Sequence, residues 1–209
     1  MLRHSEILTA QETGVPADGG RTVGVSAGTA AVLGLRRVRQ TDAPTTAYLM
    51  VGDRCVCDCA FCAQARSSAS RSHFLSRIVW PLYPIEQVLH AVARAFDQKK
   101  VVRCCLQVTV SPGYLSQTQE LIQRLHSLSG VPICVSIVVS DLDGVRALLD
   151  CGAERVTLAL DAACERVHRE SKGGDWQRRL DLLRTTSSQF PGHMGTHLIV
   201  GLGETEQEM

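Results

Sequence analysis

Four cysteines lie within eight residues of the 209-residue chain, at Cys55, Cys57, Cys59 and Cys62. In a protein whose thiols are reduced, such crowding usually indicates a bound metal. Cys55, Cys59 and Cys62 have the spacing C-x3-C-x2-C, directly after a predicted strand. A loop at that place can wrap three thiolates around an iron–sulfur cubane and leave one iron open to a substrate or cofactor. Structural iron–sulfur and zinc sites usually close with four protein ligands instead.

Two other interpretations of this cluster stay open. Cys57, Cys59 and Cys62, with one further residue, have the ligand types of a zinc site. The cysteines are alternatively reduced thiols that bind no metal. Cys57 also competes with Cys55 for the first position of the triplet. Because the spacing from Cys57 fits no common cubane pattern, we interpret Cys57 as a non-ligand.

The triplet resembles the signature of the radical S-adenosylmethionine (SAM) superfamily, including the aromatic Phe61 directly before the third cysteine. The resemblance implies a 4Fe–4S cluster on Cys55, Cys59 and Cys62 whose open iron chelates SAM, with Phe61 beside the cofactor. It implies reductive cleavage of SAM to a 5′-deoxyadenosyl radical that abstracts hydrogen from a substrate. The protein would orient SAM against that substrate and exclude side reactions.

Within the superfamily, the order of segments over residues 48–204 is most similar to the biotin synthase branch. The resemblance implies that Asp161 holds the SAM ribose hydroxyls and that Arg179 holds the SAM carboxylate. It places Ile199 and Gly201 beside the adenine. For each there is a plainer alternative: a helix N-cap for Asp161, a solvated helix-face arginine for Arg179, and an ordinary strand-to-helix turn for Gly201.

A second pair of cysteines bears on the reaction type. Cys105 and Cys134 lie on two neighbouring predicted strands, on the face that would line the interior of a barrel. In biotin synthase, cysteines so placed bind an auxiliary iron–sulfur cluster that supplies sulfur. The third cysteine of that set falls at Gly195 here, with His197 nearby as a substitute ligand, and buried structural cysteines are the alternative. Ala159 stands where biotin synthase has a substrate-binding asparagine, which favours a lipoyl-synthase-like substrate.

The elements that must position these residues alternate between strands and helices. The predicted strands are 46–51, 101–110, 132–139, 155–160 and 193–200, and the predicted helices are 85–96, 116–128, 143–150 and 175–188. Such alternation indicates a parallel sheet with crossover helices. The strands 101–110, 132–139 and 155–160 each have one apolar face and one small or polar face, which is typical of a barrel with a wet lumen. The predicted fold is therefore α/β, a partial TIM-like (β/α) barrel of radical SAM type.

The chain divides into a predicted lead-in segment, residues 1–44, and the radical SAM core, residues 45–209. The lead-in is rich in Gly, Ala and Thr, with a short helix predicted near residues 30–39. The sequence ends where another helix is expected, so the barrel lacks its C-terminal part. A truncated reading frame, a fragment and a protein completed by a partner subunit all fit this pattern.

Composition excludes several classes of protein. The formal net charge is +1, so a broad basic surface for nucleic acid is not expected. No signal peptide and no apolar run of about 18 residues is present, so a cytoplasmic protein without a membrane span is expected. Its nine cysteines are then reduced rather than paired in disulfides.

These observations predict a radical SAM enzyme that inserts sulfur into an unactivated C–H bond. The alternatives are a radical SAM maturation or rearrangement enzyme without sulfur transfer, and a non-catalytic iron–sulfur or zinc protein. The expected partners are a small-molecule or acyl-carrier-bound substrate and an external electron donor such as ferredoxin or flavodoxin.

Overall fold

A seven-stranded sheet with helices packed on its buried face forms the protein, as seen in a computed structural model that describes residues 21–37, 40–71 and 73–209. The strands of the described chain are β1 (Thr22–Val25), β2 (Thr46–Val51), β3 (Phe74–Leu75), β4 (Ile78–Val79), β5 (Leu82–Pro84), β6 (Arg103–Val108), β7 (Ile133–Ser136), β8 (Arg155–Thr157) and β9 (Met194–Gly195). Its helices are α1 (Ala27–Val32), α2 (Ile85–Asp97), α3 (Tyr114–Leu128), α4 (Leu142–Asp150), α5 (Glu165–Ser171) and α6 (Trp176–Gln189).

The strand order is β5-β1-β2-β6-β7-β8-β9. Five of these strands, β2, β6, β7, β8 and β9, are parallel to their neighbours. The crossovers that join them contain α2, α3, α4 and the α5–α6 pair. The predicted α/β partial barrel is therefore confirmed. In this arrangement the carboxyl ends of the parallel strands meet at one edge, which is where open α/β sheets bind their ligands.

The alternation predicted for the strands is also present. One face of the sheet joins the hydrophobic core through fully or nearly fully buried side chains: Ala47, Leu49, Val51, Cys104, Leu106, Ile133, Val135 and Val156. Burying each of the larger ones contributes about 1.5–3 kcal/mol. Successive residues of a strand point to opposite faces, so Cys105, Gln107 and Ser136 lie on the other side, away from this core.

Five elements were absent from the sequence prediction: β1, β3, β4, β5 and α5. β1 lies within the predicted lead-in segment and pairs antiparallel with β2 and β5 in the same sheet. Its four residues are too short and too rich in Gly and Thr to show a period, and its partners are distant in sequence. The β3–β4 hairpin, β5 and α5 lie in segments for which the sequence predicted neither a strand nor a helix. α1 begins and ends earlier than the predicted helix at 30–39, whose residues 38–39 lie outside the described chain.

The predicted strands extend too far at their carboxyl ends. β8 ends at Thr157, and β9 contains only Met194 and Gly195. Beyond them the two segments still exchange backbone hydrogen bonds, from the Leu158 N–H to the Gly195 carbonyl and from the Asp161 N–H to the His197 carbonyl, and a bridge joins Asp161 to Leu198. The alternation persists beyond the regular strands, because Leu158 and Leu160 are buried whereas Ala159, Asp161 and Ile199 line a cleft.

Capping aspartates fix the beginning of two helices. The Asp141 carboxylate accepts from the Gly144 N–H at 2.9 Å before α4, and the Asp175 carboxylate accepts from the Arg178 N–H at 2.9 Å before α6. Each cap contributes about 1 kcal/mol and sets the phase of the helix that follows. Within the described residues, no helix is both long and apolar enough to cross a membrane.

Candidate functional site

A cleft of about 370 Å³ lies at the carboxyl ends of the parallel strands. The loop after β2, the ends of β6 and β7, and the segments that follow β8 and β9 form its walls. Its charged lining residues are Asp161, Lys172 and Arg179. Its cysteines are Cys55, Cys57, Cys59 and Cys62, so the cleft brings the predicted cluster ligands and the predicted SAM ligands into one space.

The turn at Gly52 directs the chain from β2 into the cysteine loop. Its φ is 93°, a conformation that L side chains rarely adopt. A Cβ there would lie 2.6 Å from Thr109 Oγ1 and 2.7 Å from Ser111 Oγ. Thr109 Oγ1 donates to the carbonyls of Val51 and Asp53, and the Asp53 N–H donates to Ser111 Oγ at 3.2 Å. These bonds clamp the beginning of the loop to the strand end of β6.

Further hydrogen bonds anchor the loop along its length. The Val56 N–H donates to the Val110 carbonyl at 2.8 Å, and the Ala60 N–H donates to the Ser171 carbonyl at 2.7 Å. The guanidinium of Arg54 donates to carbonyls farther along the same loop, at Ser68 and Ser70. The cysteines are therefore held between β6, on one side, and the end of α5, on the other.

All four thiols of the loop are free and partly exposed to the cleft. Burial raises the pKa of Cys59 to about 11, although the nearby charge of Lys172 opposes the shift. Burial also raises the pKa of the Cys62 thiol. A coordinating metal deprotonates such thiols outright, so these values do not prevent ligation.

No three His, Cys, Asp or Glu side chains of the described chain converge on a single metal ion. In a cubane each thiolate binds a different iron, so its ligands need not meet at one point. Burial raises the pKa of Cys57, and its interaction with the neighbouring Cys55 thiol raises it further. Both cysteines line the cleft, and the assignment of Cys55 rather than Cys57 as a ligand stays a prediction.

Asp161 is held in place by both its backbone and its side chain. It is a non-glycine residue with φ 66°, in the left-handed region that costs roughly 1–3 kcal/mol. Its N–H donates to the His197 carbonyl at 3.0 Å, and its carbonyl accepts from the Ile199 N–H at 2.8 Å. The helix cap after it is Cys164, so Asp161 is not the N-cap that the sequence left open.

The carboxylate of Asp161 is buried and carries two partners. Oδ2 lies 2.5 Å from Lys172 Nζ, and Oδ1 lies 2.8 Å from His197 Nε2. Burial alone would raise the pKa of this carboxyl, but the hydrogen bonds from His197 and Lys172 and the Lys172 charge together hold the pKa below its ordinary value. Asp161 is therefore an ionised carboxylate at neutral pH.

Lys172 is the main site residue that the sequence did not reveal. It follows α5, a helix that the sequence did not predict, and nothing in the local pattern marks a lysine there as buried. Its ammonium also donates to the Ala159 carbonyl at 2.6 Å. The exposed fraction of its side chain is 6%, whereas most lysines lie in solvent.

Arg179 lies in the first turn of α6 and lines the cleft, half-buried. Its guanidinium forms no hydrogen bond or ion pair inside the part of the chain that the structure describes. Its charge lowers the pKa of Cys57, after the larger effect of burial that raises it, so the guanidinium lies near the cysteine loop. Its fork of N–H donors is available to a carboxylate ligand.

Two of the three other predicted SAM contacts lie in the cleft, and the third does not. Phe61 and Ile199 line the cleft. Gly201 does not: its N–H donates to the Glu204 carboxylate at 2.5 Å, which also accepts from the Leu202 N–H. A Cβ at Gly201 would meet nothing within 4 Å, although its φ of 91° requires glycine. The predicted adenine contact at Gly201 stays a prediction.

Cys105 and Cys134 are paired directly across β6 and β7. The interaction between their side chains lowers the pKa of Cys134 and raises that of Cys105. The Gln107 amide also donates to Cys105 Sγ at 3.3 Å. The next residues on this face, Gln107 and Ser136, line the cleft, so the two thiols lie one step beneath its floor. Whether they bind an auxiliary cluster stays a prediction.

His197 and Gly195, which the sequence analysis placed around that pair, have other partners, and so does Arg103 on the same strand as Cys105. Arg103 forms an ion pair with Glu154, with 3.1 Å between Arg103 Nη2 and Glu154 Oε2. His197 contacts Asp161 through Nε2. Gly195 is paired with Thr157, so it contributes no side chain to this region.

Residues 49–209 match the family model described as the Radical SAM superfamily. The chain belongs to the radical SAM superfamily. No curated protein matched it.

Three solved structures resemble this radical SAM chain, each with a TM-score of 0.61. HydG, a maturase of the FeFe-hydrogenase, is 15% identical over 78% of this chain and 37% of its own. Methylornithine synthase (PylB) is 17% identical over 78% of this chain and 47% of its own. HydG from Carboxydothermus hydrogenoformans is 20% identical over 76% of this chain and 37% of its own. The chain spans less than half the length of each, and the likeness shows the fold alone.

The cleft fits the two cofactors that the radical SAM family implies. Cys55, Cys59 and Cys62 present partly exposed thiols on one wall, as ligands of a cluster with an open iron must. Arg179 and Asp161 present a guanidinium and a carboxylate to the same space. The donor set therefore matches a 4Fe–4S cluster next to a ligand that carries a carboxylate and hydroxyl groups.

Proposed function

We propose that this protein is a radical SAM enzyme that holds a 4Fe–4S cluster on Cys55, Cys59 and Cys62 and cleaves SAM reductively. One observation carries the proposal: the three cysteines share a single cleft with Asp161 and Arg179. Bound together, the cluster and SAM supply a 5′-deoxyadenosyl radical that removes a hydrogen atom from a substrate.

The residues of the chain bind and orient SAM in this proposal. The Arg179 guanidinium pairs with the SAM carboxylate through two parallel N–H donors. The ionised Asp161 carboxylate accepts from the ribose hydroxyls. The apolar residues Val108, Ile137 and Val138 line the same cleft and exclude water from the reacting atoms. An external donor such as ferredoxin or flavodoxin supplies the electron.

Sulfur insertion into an unactivated C–H bond is the finer proposal. The pairing of Cys105 with Cys134 beneath the cleft floor supports it, because two thiols so close can share an auxiliary iron–sulfur cluster. The substrate is then a small molecule or an acyl chain on a carrier. The second candidate is a maturation or rearrangement enzyme without sulfur transfer. It is favoured by the incomplete ligand set at Gly195 and by the contact of His197 with Asp161.

Anaerobic reconstitution with iron and sulfide, followed by SAM and dithionite, tests the proposed activity. We expect about four irons per chain in a single-cluster protein, more with an auxiliary cluster, and production of 5′-deoxyadenosine. A protein that assembles a cluster but never cleaves SAM would contradict the proposal and favour a non-catalytic iron–sulfur protein.

Cysteine variants test the ligand assignment in the same assay. Cys55→Ala, Cys59→Ala and Cys62→Ala should each abolish the cubane absorbance and the product. Cys57→Ala should retain both, as should the matched control Cys151→Ala, which removes a thiol at the end of α4. If Cys57→Ala loses the cluster while Cys55→Ala keeps it, Cys57 is the ligand.

A further inference from the structure

Lys172, which forms a buried ion pair with Asp161, has no role in the proposal above. Both side chains are almost fully buried, with exposed fractions of 6% and 8%. Burying two charges is costly, and a pair of apolar residues is often as stable or more stable. Both residues line the cleft, so the pair lies where a ligand would contact it.

The Lys172 ammonium has two acceptors in the structure for its roughly three N–H donors. It donates to Asp161 Oδ2 at 2.5 Å and to the Ala159 carbonyl at 2.6 Å. Ala159 lies two residues before Asp161, so the ammonium ties together the carboxylate and the backbone that leads to it. This bracing acts on a residue in the left-handed conformation, a strain that needs support from its surroundings.

The lone pairs of Asp161 are shared between the protein and the cleft. An ionised carboxylate offers roughly four acceptor sites. Lys172 and His197 occupy one site on each oxygen, which leaves about two for a ligand. A vicinal diol has two hydroxyl donors, so the remaining capacity of the carboxylate matches the ribose of a nucleoside.

We propose that Lys172 is a positioning residue for the nucleoside ribose, because its ammonium fixes the Asp161 carboxylate in the orientation that accepts from both ribose hydroxyls. This inference rests on the proposed function, in which SAM occupies the cleft. Lys172 acts through Asp161, which also makes the pair neutral beside the positively charged sulfonium of SAM. An unbraced carboxylate in the same place would be free to turn toward other donors.

The test compares SAM with its 2′-deoxyribose analogue on the anaerobically reconstituted protein. Dissociation constants are measured by equilibrium dialysis for the wild type, Lys172→Met and Lys172→Arg. Lys172→Met removes the charge and keeps the apolar stem, whereas Lys172→Arg keeps a charge and donors. Lys100→Met, at an exposed site on the surface, is the matched control.

We expect the wild type and Lys100→Met to bind SAM about tenfold or more tightly than the deoxy analogue, since a hydrogen bond to a charged group is lost. In Lys172→Met that preference should shrink to about twofold or less, while Lys172→Arg keeps part of it. The iron content should not change. Adding Asp161→Asn to Lys172→Met should reduce the preference no further.

The outcomes separate the inference from the function on which it rests. If Lys172→Met weakens both ligands equally and keeps the preference for the hydroxyl, the lysine is structural and the inference is overturned. A wild type that binds SAM without preferring the hydroxyl also overturns it. A wild type that binds neither ligand contradicts the proposed function itself. If Lys172→Met does not fold, Lys172→Gln is judged by the same ratio.

Discussion

Arg179 and Arg178 are neighbours in sequence with different surroundings. Arg179 lines the cleft, whereas Arg178 is exposed. The sequence alone left open whether Arg179 is a ligand or a solvated helix residue. Its position in the first turn of α6, set by the Asp175 cap, places the side chain on the wall of the cleft.

Arg179→Ala is expected to weaken SAM binding about ten- to hundredfold, because a charge-assisted hydrogen bond contributes about 1.5–3 kcal/mol. The cluster should assemble normally. Arg178→Ala, the matched control, should leave the SAM dissociation constant unchanged. Equilibrium dialysis on reconstituted protein measures both, and an unchanged affinity in Arg179→Ala would remove this residue from the SAM site.

His168 is a fully buried residue of α5 that sequence reasoning did not single out. Neither ring nitrogen has a hydrogen-bond partner in the described part of the chain. Burial lowers the pKa of His168, and the charges of Arg179 and Lys172 lower it further. The ring is therefore neutral in the folded protein, and the unfolded chain binds more protons at this position below about pH 6.5.

His168→Leu is expected to leave the free energy of unfolding unchanged or to raise it by about 1–3 kcal/mol, because an unsatisfied buried polar ring is removed. The wild type should lose stability as pH falls below about 6.5, since His168 is protonated in the unfolded state but stays neutral in the folded state. The variant should lose less. Urea unfolding at pH 7.5 and 5.5 measures the difference, with exposed His90→Leu as the control. Equal pH dependence in His168→Leu and wild type would show that His168 titrates normally.

At the scale of elements, the turn at Gly52 joins the sheet to the cysteine loop. Gly52→Ala combines a positive φ with a contact of 2.6 Å to Thr109 Oγ1, which donates to both sides of the turn. We expect a loss of about 1–3 kcal/mol in the free energy of unfolding and a lower iron content after reconstitution.

Gly130→Ala is the control for this prediction. Gly130 has no positive φ, and a Cβ there would meet nothing within 4 Å. The Gly130→Ala substitution should therefore leave the free energy of unfolding unchanged or raise it slightly, since it restricts only the unfolded chain. Urea titrations and iron assays compare the two variants. A Gly52→Ala protein as stable and as rich in iron as the control would mean that the turn relaxes freely.

The elements with strong periodicity could be predicted from the sequence, and those that depend on distant partners could not. The predicted strand at 46–51 coincides with β2, and α2 differs from its prediction by one residue. β1 depends on pairing with Met50 and Tyr83, which no local pattern encodes. Lys172 follows the same rule, because its burial arises from the position of Asp161 rather than from its own neighbours.

At the scale of the whole molecule, the parallel pairing of β6 and β7 places Cys105 next to Cys134. Whether this cysteine pair binds a cluster distinguishes a sulfur-inserting enzyme from one without sulfur transfer. Cys105 and Cys134 come from strands separated by α3, yet they are opposite each other in register. Neighbouring strands lie about 4.8 Å apart, so both thiols can reach one small cluster beneath the cleft floor. The sequence could predict this pair because both strands keep their alternation. It could not show that His197 contacts Asp161.

The double variant Cys105→Ser with Cys134→Ser tests whether this pair binds an auxiliary cluster. If it does, iron per chain should fall, and sulfur transfer should stop, because the sulfur source is lost. Production of 5′-deoxyadenosine should continue, since Cys55, Cys59 and Cys62 still hold the first cluster. Cys104→Ser is no control because Cys104 belongs to the core, so Cys151→Ser with Cys164→Ser serves instead. A double variant with unchanged iron and unchanged product identifies Cys105 and Cys134 as packing residues and favours the enzyme without sulfur transfer.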